Sequence, residues 1–181
     1  MAEAAMKALE WTNRDKSEWP RGEWDEEPDK VQWSDPATGL PCLIVRGPAG
    51  ALCGYVGVGP SHPWYRRGYT DCSLPNPCGE EYCRHSIGSQ LDCHGGLTFS
   101  GSCDEGAPEG RGICHVAEPG DFEPARWFGF DCAHGCDVTP ANKYDRGEWN
   151  STYKSLAYVR REVTALAIQM SGAQAQQLRR P

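Results

Sequence analysis

Two short stretches hold the residues best suited to chemistry. His94 stands directly before Gly95 and Gly96, and Asp131, His134 and Asp137 recur at spacing three. An imidazole can act as acid, base or metal ligand near neutral pH. The glycines allow a backbone to turn sharply or approach a ligand closely. Carboxylate and imidazole together suit zinc or another transition ion. His115, beside Cys114, is a second-tier candidate. The expectation is one ligand-binding pocket lined by His94, Gly95, Gly96, Asp131 and His134, with Asp137 and His115 at its margin. The plainer alternatives are a histidine that only satisfies a loop carbonyl and aspartates that only cap turns.

A second cluster is made of Cys72, Cys78, Cys83 and His85, with 5, 4 and 1 residues between successive members. Those four side chains could close a structural zinc site and pin a loop with almost no hydrophobic anchor. The spacing is not that of a common zinc module, and buried thiols are the alternative. Zinc is the cofactor either reading of the histidine and cysteine clusters would call for. No glycine-rich phosphate loop followed by lysine occurs, and no Gly-x-Ser-x-Gly elbow. A nucleophile pair of Cys132 with His94 or His134 has no local signature behind it.

The elements that must position these residues are short. Leu43–Val45 and Leu52–Val58 flank the Gly47-Pro48-Ala49-Gly50 turn and read as a hairpin. Gly54 and Gly57 inside its second strand predict a bulge or a close approach. Leu97–Phe99 and Trp127–Phe130 are two further strands, each adjoining one half of the candidate pocket. Apolar residues at Tyr153, Leu156, Val159, Val163, Leu166 and Met170 draw one stripe. They predict an amphipathic helix over about 151–171, capped by Asn150 or Ser151 and ended by Gly172. Residues 59–92 and 101–125 are long Gly/Pro-rich excursions, of a length usually functional or tied by a metal. The fold class is therefore α+β: a small, mainly antiparallel sheet with long loops and one C-terminal helix.

Composition sets the outer bounds. The chain has 181 residues, of which 39% are hydrophobic, with 21 Gly and 14 Pro. That suits a single domain rich in turns. Residues 1–38 hold Trp11, Trp19, Trp24 and Trp33 among acids, too aromatic for disorder. They are expected to form an extended arm docked on a domain spanning 39–172, with 173–181 as a frayed tail. The net charge of −7 disfavours non-specific nucleic-acid binding. A local pair, Arg66 and Arg67, could still take a small anion. No run approaches a membrane span, and Met1–Glu10 lacks the apolar segment of a signal peptide. A cytoplasmic location follows as an expectation. The ten cysteines then read as metal ligands, small hydrophobes or a reactive thiol, not disulfides.

His94-Gly-Gly-Leu-Thr-Phe-Ser-Gly101 and Trp127-Phe-Gly-Phe-Asp-Cys-Ala-His134 resemble a family of small proteins of bacterial and bacteriophage genomes. Similar stretches are Leu40–Arg46, Gly50–Gly57, Asp29–Trp33, Gly112–Val116 and Ser155–Arg160, so the resemblance covers about residues 11–170. It implies a phage or bacterial protein and brings no catalytic residue with it. Two functions from different classes stay open. One is an accessory protein, such as a host-defence antagonist, that binds a small ligand or a host protein partner; the Trp-rich surface favours it, since aromatics dominate binding hot spots. The other is a small metal-dependent hydrolase using His94, Asp131 and His134, in which the ion activates a water. A homo-oligomer built on the helix stripe is also open.

Overall fold

Short runs rich in β-branched and aromatic residues, broken by tight turns, build a six-stranded antiparallel sheet. A computed structural model describes residues 8–73, 85–117, 125–142 and 151–178. Its strands are β1 (Leu9–Trp11), β2 (Lys30–Ser34), β3 (Pro41–Arg46), β4 (Leu52–Val58), β5 (Phe99–Gly101) and β6 (Arg126–Asp131). Their order across the sheet is β1-β2-β3-β4-β6-β5, and every neighbouring pair runs antiparallel. One helix, α1 (Leu156–Leu178), covers one face. None of the described helices is long and apolar enough to cross a membrane.

The period of two sorts the side chains by face. Val31, Trp33, Cys42, Ile44, Val56, Phe128, Phe130 and Cys132 turn toward α1 and meet Val159, Val163, Leu166 and Met170, all buried. Leu43, Val45, Tyr55 and Trp127 turn the other way. α1 comes very close to β4. A Cβ at Gly54 would lie 2.5 Å from a Val163 methyl and 2.6 Å from the Phe130 ring. Gly54 therefore marks the expected close approach, which is where the helix crosses the sheet.

The second face is covered by residues 101–117. Lys30 and Gln32, on the β2 positions opposite Val31 and Trp33, clamp that segment. The Lys30 ammonium donates to the Glu109 and Cys114 carbonyls and stands over the Trp11 ring. Gln32 exchanges two bonds with the Val116 backbone, at 2.8 and 2.7 Å. Burial lowers the Lys30 ammonium to about 8. Cys103 and Cys114 are disulfide-bonded across this segment. That corrects the expectation of no disulfides: spacing along the chain says nothing about which sulfurs a fold brings together. Cys42, Cys93 and Cys132 are buried thiols that pack as small hydrophobes.

Several boundaries differ from the sequence reading. The Trp-rich first segment, expected as an arm lying over the domain, contributes strands β1 and β2. Trp24 and Trp33 are buried there, and Trp19 is half-buried. The strand expected at Leu97–Phe99 begins at Phe99. Leu97 instead drops into the core on the helix side. α1 starts at Leu156, not near 151, because Thr152 pairs with the backbone of Cys136 and Val138. Ser155 caps it, accepting from the Tyr158 amide, and Glu27 accepts from the Leu156 amide at 2.6 Å. Gly172 does not end it, and the helix runs on to Leu178 through most of the expected tail.

Candidate metal centre

Two turns and the helix start converge on one point on the α1 side. The first turn is Cys93–Gly96, closed by the Gly96 amide donating to the Cys93 carbonyl at 2.9 Å. Cys93 is buried in the core, and Gly95 takes φ +66° at the third position, where a non-glycine residue would be strained. His94 is left at the corner. The second turn is His134–Asp137. Cys132 is anchored by its amide to Leu52, the Asp137 amide donates to the His134 carbonyl, and the Asp137 carboxylate reaches back to the His134 amide at 3.0 Å. The pairing of Thr152 with residues 136–138 then brings Lys154 and Tyr158 alongside.

Asp137 is the hub. Its Oδ2 lies 2.8 Å from His94 Nε2 and 3.3 Å from His134 Nδ1, and its Oδ1 lies 3.4 Å from Lys154 Nζ. His94 Nδ1 lies 3.0 Å from the Tyr158 hydroxyl. The two imidazole rings stand edge to face with centroids 5.3 Å apart. Asp137 is almost wholly buried (side chain 2% exposed), His94 is half-buried, and His134 is open to solvent at 37%. Burial pushes the Asp137 carboxyl up. The bonds from His94 and the His134 amide, with the charges of His94 and Lys154, outweigh that and hold it below its ordinary value. The Cys132 thiol is pushed up, by burial first and by the Asp137 charge second.

Gly95 is the floor beneath His134. A Cβ built there would sit 2.1 Å from the His134 ring, so the imidazole lies directly on the glycine backbone. Gly96, also left-handed at φ +82°, faces open space.

His94, His134 and Asp137 each offer a ligand atom, all within 4.8 Å of one another. Among the described residues they are the one such group of three. Compared with family models, curated proteins and solved structures, the chain matches none. What the centre can do is therefore read from its own geometry.

Asp131 and His115 do not join it. Asp131 accepts from the Thr98 hydroxyl at 2.9 Å and the Ala133 amide at 3.1 Å, which is turn-capping work. The parity of β6 decides this: Phe128, Phe130 and Cys132 point to α1, so Asp131 points to the other face. His115 is buried on that other face, edge to face with Trp127 at 5.5 Å. The sheet stands between it and His94. Asp137, ranked second from sequence, is the central acid in place of Asp131. Lys154 and Tyr158 were not singled out at all. No spacing in the sequence marks them as a pair, because Lys154 lies ahead of α1 and only Tyr158 is on it.

Cys72 and His85 stand at the two ends of a loop stem, with Cys72 bridging to Ser86 and the Ser73 amide donating to the His85 carbonyl. Cys78 and Cys83 lie outside the described residues. The loop does have hydrophobic anchors: Trp64, Ile87 and Leu91 are all buried in the core. The expectation of a loop with almost no hydrophobic anchor is corrected accordingly.

Proposed function

We propose that the protein is a metal-dependent protein with an open-site transition-metal centre, zinc being the ion its donors suit best, held by His94 Nε2, His134 Nδ1 and Asp137 Oδ2. The observation that carries this reading is the spacing of the donors. Ligands about 2.0–2.1 Å from a tetrahedral zinc lie roughly 3.3 Å from each other. Asp137 Oδ2 stands 2.8 and 3.3 Å from the two imidazole nitrogens, and the three donor atoms lie within 4.8 Å of one another, so a small rotation of the exposed His134 ring would complete the set. The surroundings favour the same reading. A metal-bound histidine normally donates its other ring N–H to an outer partner. The Tyr158 hydroxyl stands in that place for His94. Lys154 occupies Oδ1 of Asp137 and leaves Oδ2 for the ion.

Three protein ligands leave a fourth position, and the exposed His134 side is where it opens. A water bound there would be acidified by the ion, which is the chemistry of a small metal-dependent hydrolase. The same position could instead hold a ligand without turning it over, as in an accessory binding protein of phage or bacterial origin. The geometry favours the metal-dependent reading over a metal-free binding surface, because a buried carboxylate shared by two imidazoles is a poor grip for a protein partner.

Metal analysis and zinc calorimetry on the full chain test this. One ion per chain is expected, and His94→Ala or Asp137→Asn should weaken binding by about 10- to 100-fold or more, the loss that even an outer partner can cause. Wild-type protein that takes up no zinc, cobalt or nickel would leave the cluster as a hydrogen-bonded knot that pins two turns to α1.

A further inference from the structure

The second ring of residues around the centre points to what occupies the open position. Lys154 Nζ lies 5.7 Å from the Tyr158 ring centroid, and Arg161 Cζ lies 5.6 Å from it. The Tyr158 hydroxyl is bonded to His94. Two cations thus flank the aromatic ring that adjoins a proposed ligand. Lys154 is largely sheltered, with its side chain 17% exposed, whereas Arg161 is exposed.

Charge arithmetic makes the requirement concrete. Two neutral imidazoles and one carboxylate leave a divalent ion with one net positive charge. Lys154 adds a second. Arg161, exposed beside the Tyr158 ring, adds a third, and Glu162 returns one negative charge near Tyr158. The filled centre is cationic, and an anion in the fourth position would neutralise it in a partly desolvated place. Three of the first four amides of α1 are already engaged. Those of Leu156, Tyr158 and Val159 already donate to Glu27, to the Ser155 hydroxyl and to the Ser155 carbonyl. Recognition therefore falls mainly to side chains and the ion.

Resting on the metal centre proposed above, we propose that the open position takes a phosphate-class oxyanion, one oxygen on the ion and the others toward Lys154 and Arg161. A tetrahedral oxyanion has oxygens enough for three partners. Lys meets phosphate as a point charge, and Arg meets it as a planar fork. A carboxylate, with two oxygens, would engage the ion and one cation only.

The test uses the full chain loaded with cobalt, whose visible spectrum reports the metal's ligands. Inorganic phosphate and acetate are titrated separately, and metal affinity is measured alongside. Phosphate should shift the spectrum saturably and bind more tightly than acetate. Arg161→Ala should weaken phosphate about two- to fivefold, as expected of an exposed charge, with cobalt affinity unchanged. Lys154→Met should weaken it more, by about tenfold. If cobalt does not bind, the metal centre itself fails. If cobalt binds and phosphate leaves the spectrum unchanged, or acetate binds as tightly, the oxyanion assignment is overturned while the metal centre stands. Phosphate binding that is indifferent to both substitutions likewise overturns it.

Discussion

Gly95 is the residue on which the geometry of the centre turns. It needs a left-handed backbone, and any side chain there would strike the His134 imidazole. Gly96 shares the backbone need but not the contact. The pair separates strain from function. Both Gly95→Ala and Gly96→Ala should cost roughly 1–2 kcal/mol of stability through the strained φ. Gly95→Ala alone should also lower zinc affinity, by about as much as His134→Ala, because it displaces the ring. Equal zinc affinity in the two glycine variants, measured by calorimetry, would mean that His134 does not depend on that floor. The histidines differ as well. His134 is more exposed and makes one ring bond among the described residues, whereas His94 is a half-buried link between Asp137 and Tyr158. His94→Ala should therefore destabilise the protein by about 1–3 kcal/mol, the penalty for stranding buried polar partners. His134→Ala should cost under about 1 kcal/mol, as is usual away from such features. Thermal or urea unfolding of the metal-free proteins checks the order, and a reversed order would refute the burial argument.

At the scale of elements, the sheet keeps the two covering layers apart. α1 and the proposed metal centre lie on one face, and the disulfide-tied segment 101–117 lies on the other. Cys103 and Cys114 close a short loop, their sequence separation being 11. Constraining a loop of that size is worth about 2–3 kcal/mol. Reduction, or Cys103→Ser with Cys114→Ser, should lower unfolding stability by that amount and loosen the carbonyls that hold Lys30. Zinc affinity should not change, since no residue of the centre touches that layer. A drop in affinity on reduction would show that the two faces are coupled through the sheet. The hairpin of β3 and β4 and the strand at Trp127–Phe130 were legible from sequence because β-branched and aromatic runs bounded by Gly and Pro mark even short strands. The strand at the C-terminal side of Gly96 was misplaced by two residues, since Leu97 is apolar whether it pairs or packs. The start of α1 was hidden for a related reason. Residues 151–155 are compatible with helix, and only their pairing with the 136–138 turn removes them from it.

Over the whole molecule, one buried ionic network ties the first segment to the helix. Arg46, fully buried, donates to Asp29, Glu27, Tyr153 and the Gly50 carbonyl. Lys16 pairs with Asp29 at 3.0 Å, and the Asn13 and Arg14 amides also donate to it. Burial pushes the Asp29 carboxyl up, and those amides and Lys16 pull it below its ordinary 3.8. A carboxyl depressed in the folded state adds stability above its unfolded value. That stability is lost as pH falls through the folded value, because the unfolded chain binds the proton first. Asp29→Asn should therefore cost on the order of 3 kcal/mol at neutral pH, as for a broken buried pair. The gap to wild type should close as pH drops below about 4. A gap that persists unchanged at pH 2, followed by urea unfolding, would assign the loss to packing instead. Sequence by itself determined the class of this protein: β-branched and aromatic runs, turn glycines and one apolar stripe make an α+β sheet-and-helix architecture, and a short set of histidines and aspartates stands out as its candidate site. Which of those residues meet was decided by tertiary structure alone. The pleat of β6 sends Asp131 to one face and leaves the α1 face to the turn beyond it, where Asp137 sits. A sheet separates His115 from His94, although the two are only 21 positions apart in the chain. Lys154 and Tyr158 reach the centre from the far end of the sequence because Thr152 pairs with the turn that carries Asp137. Spacing along a chain specifies local geometry, and convergence across it depends on register and packing, which no single stretch contains.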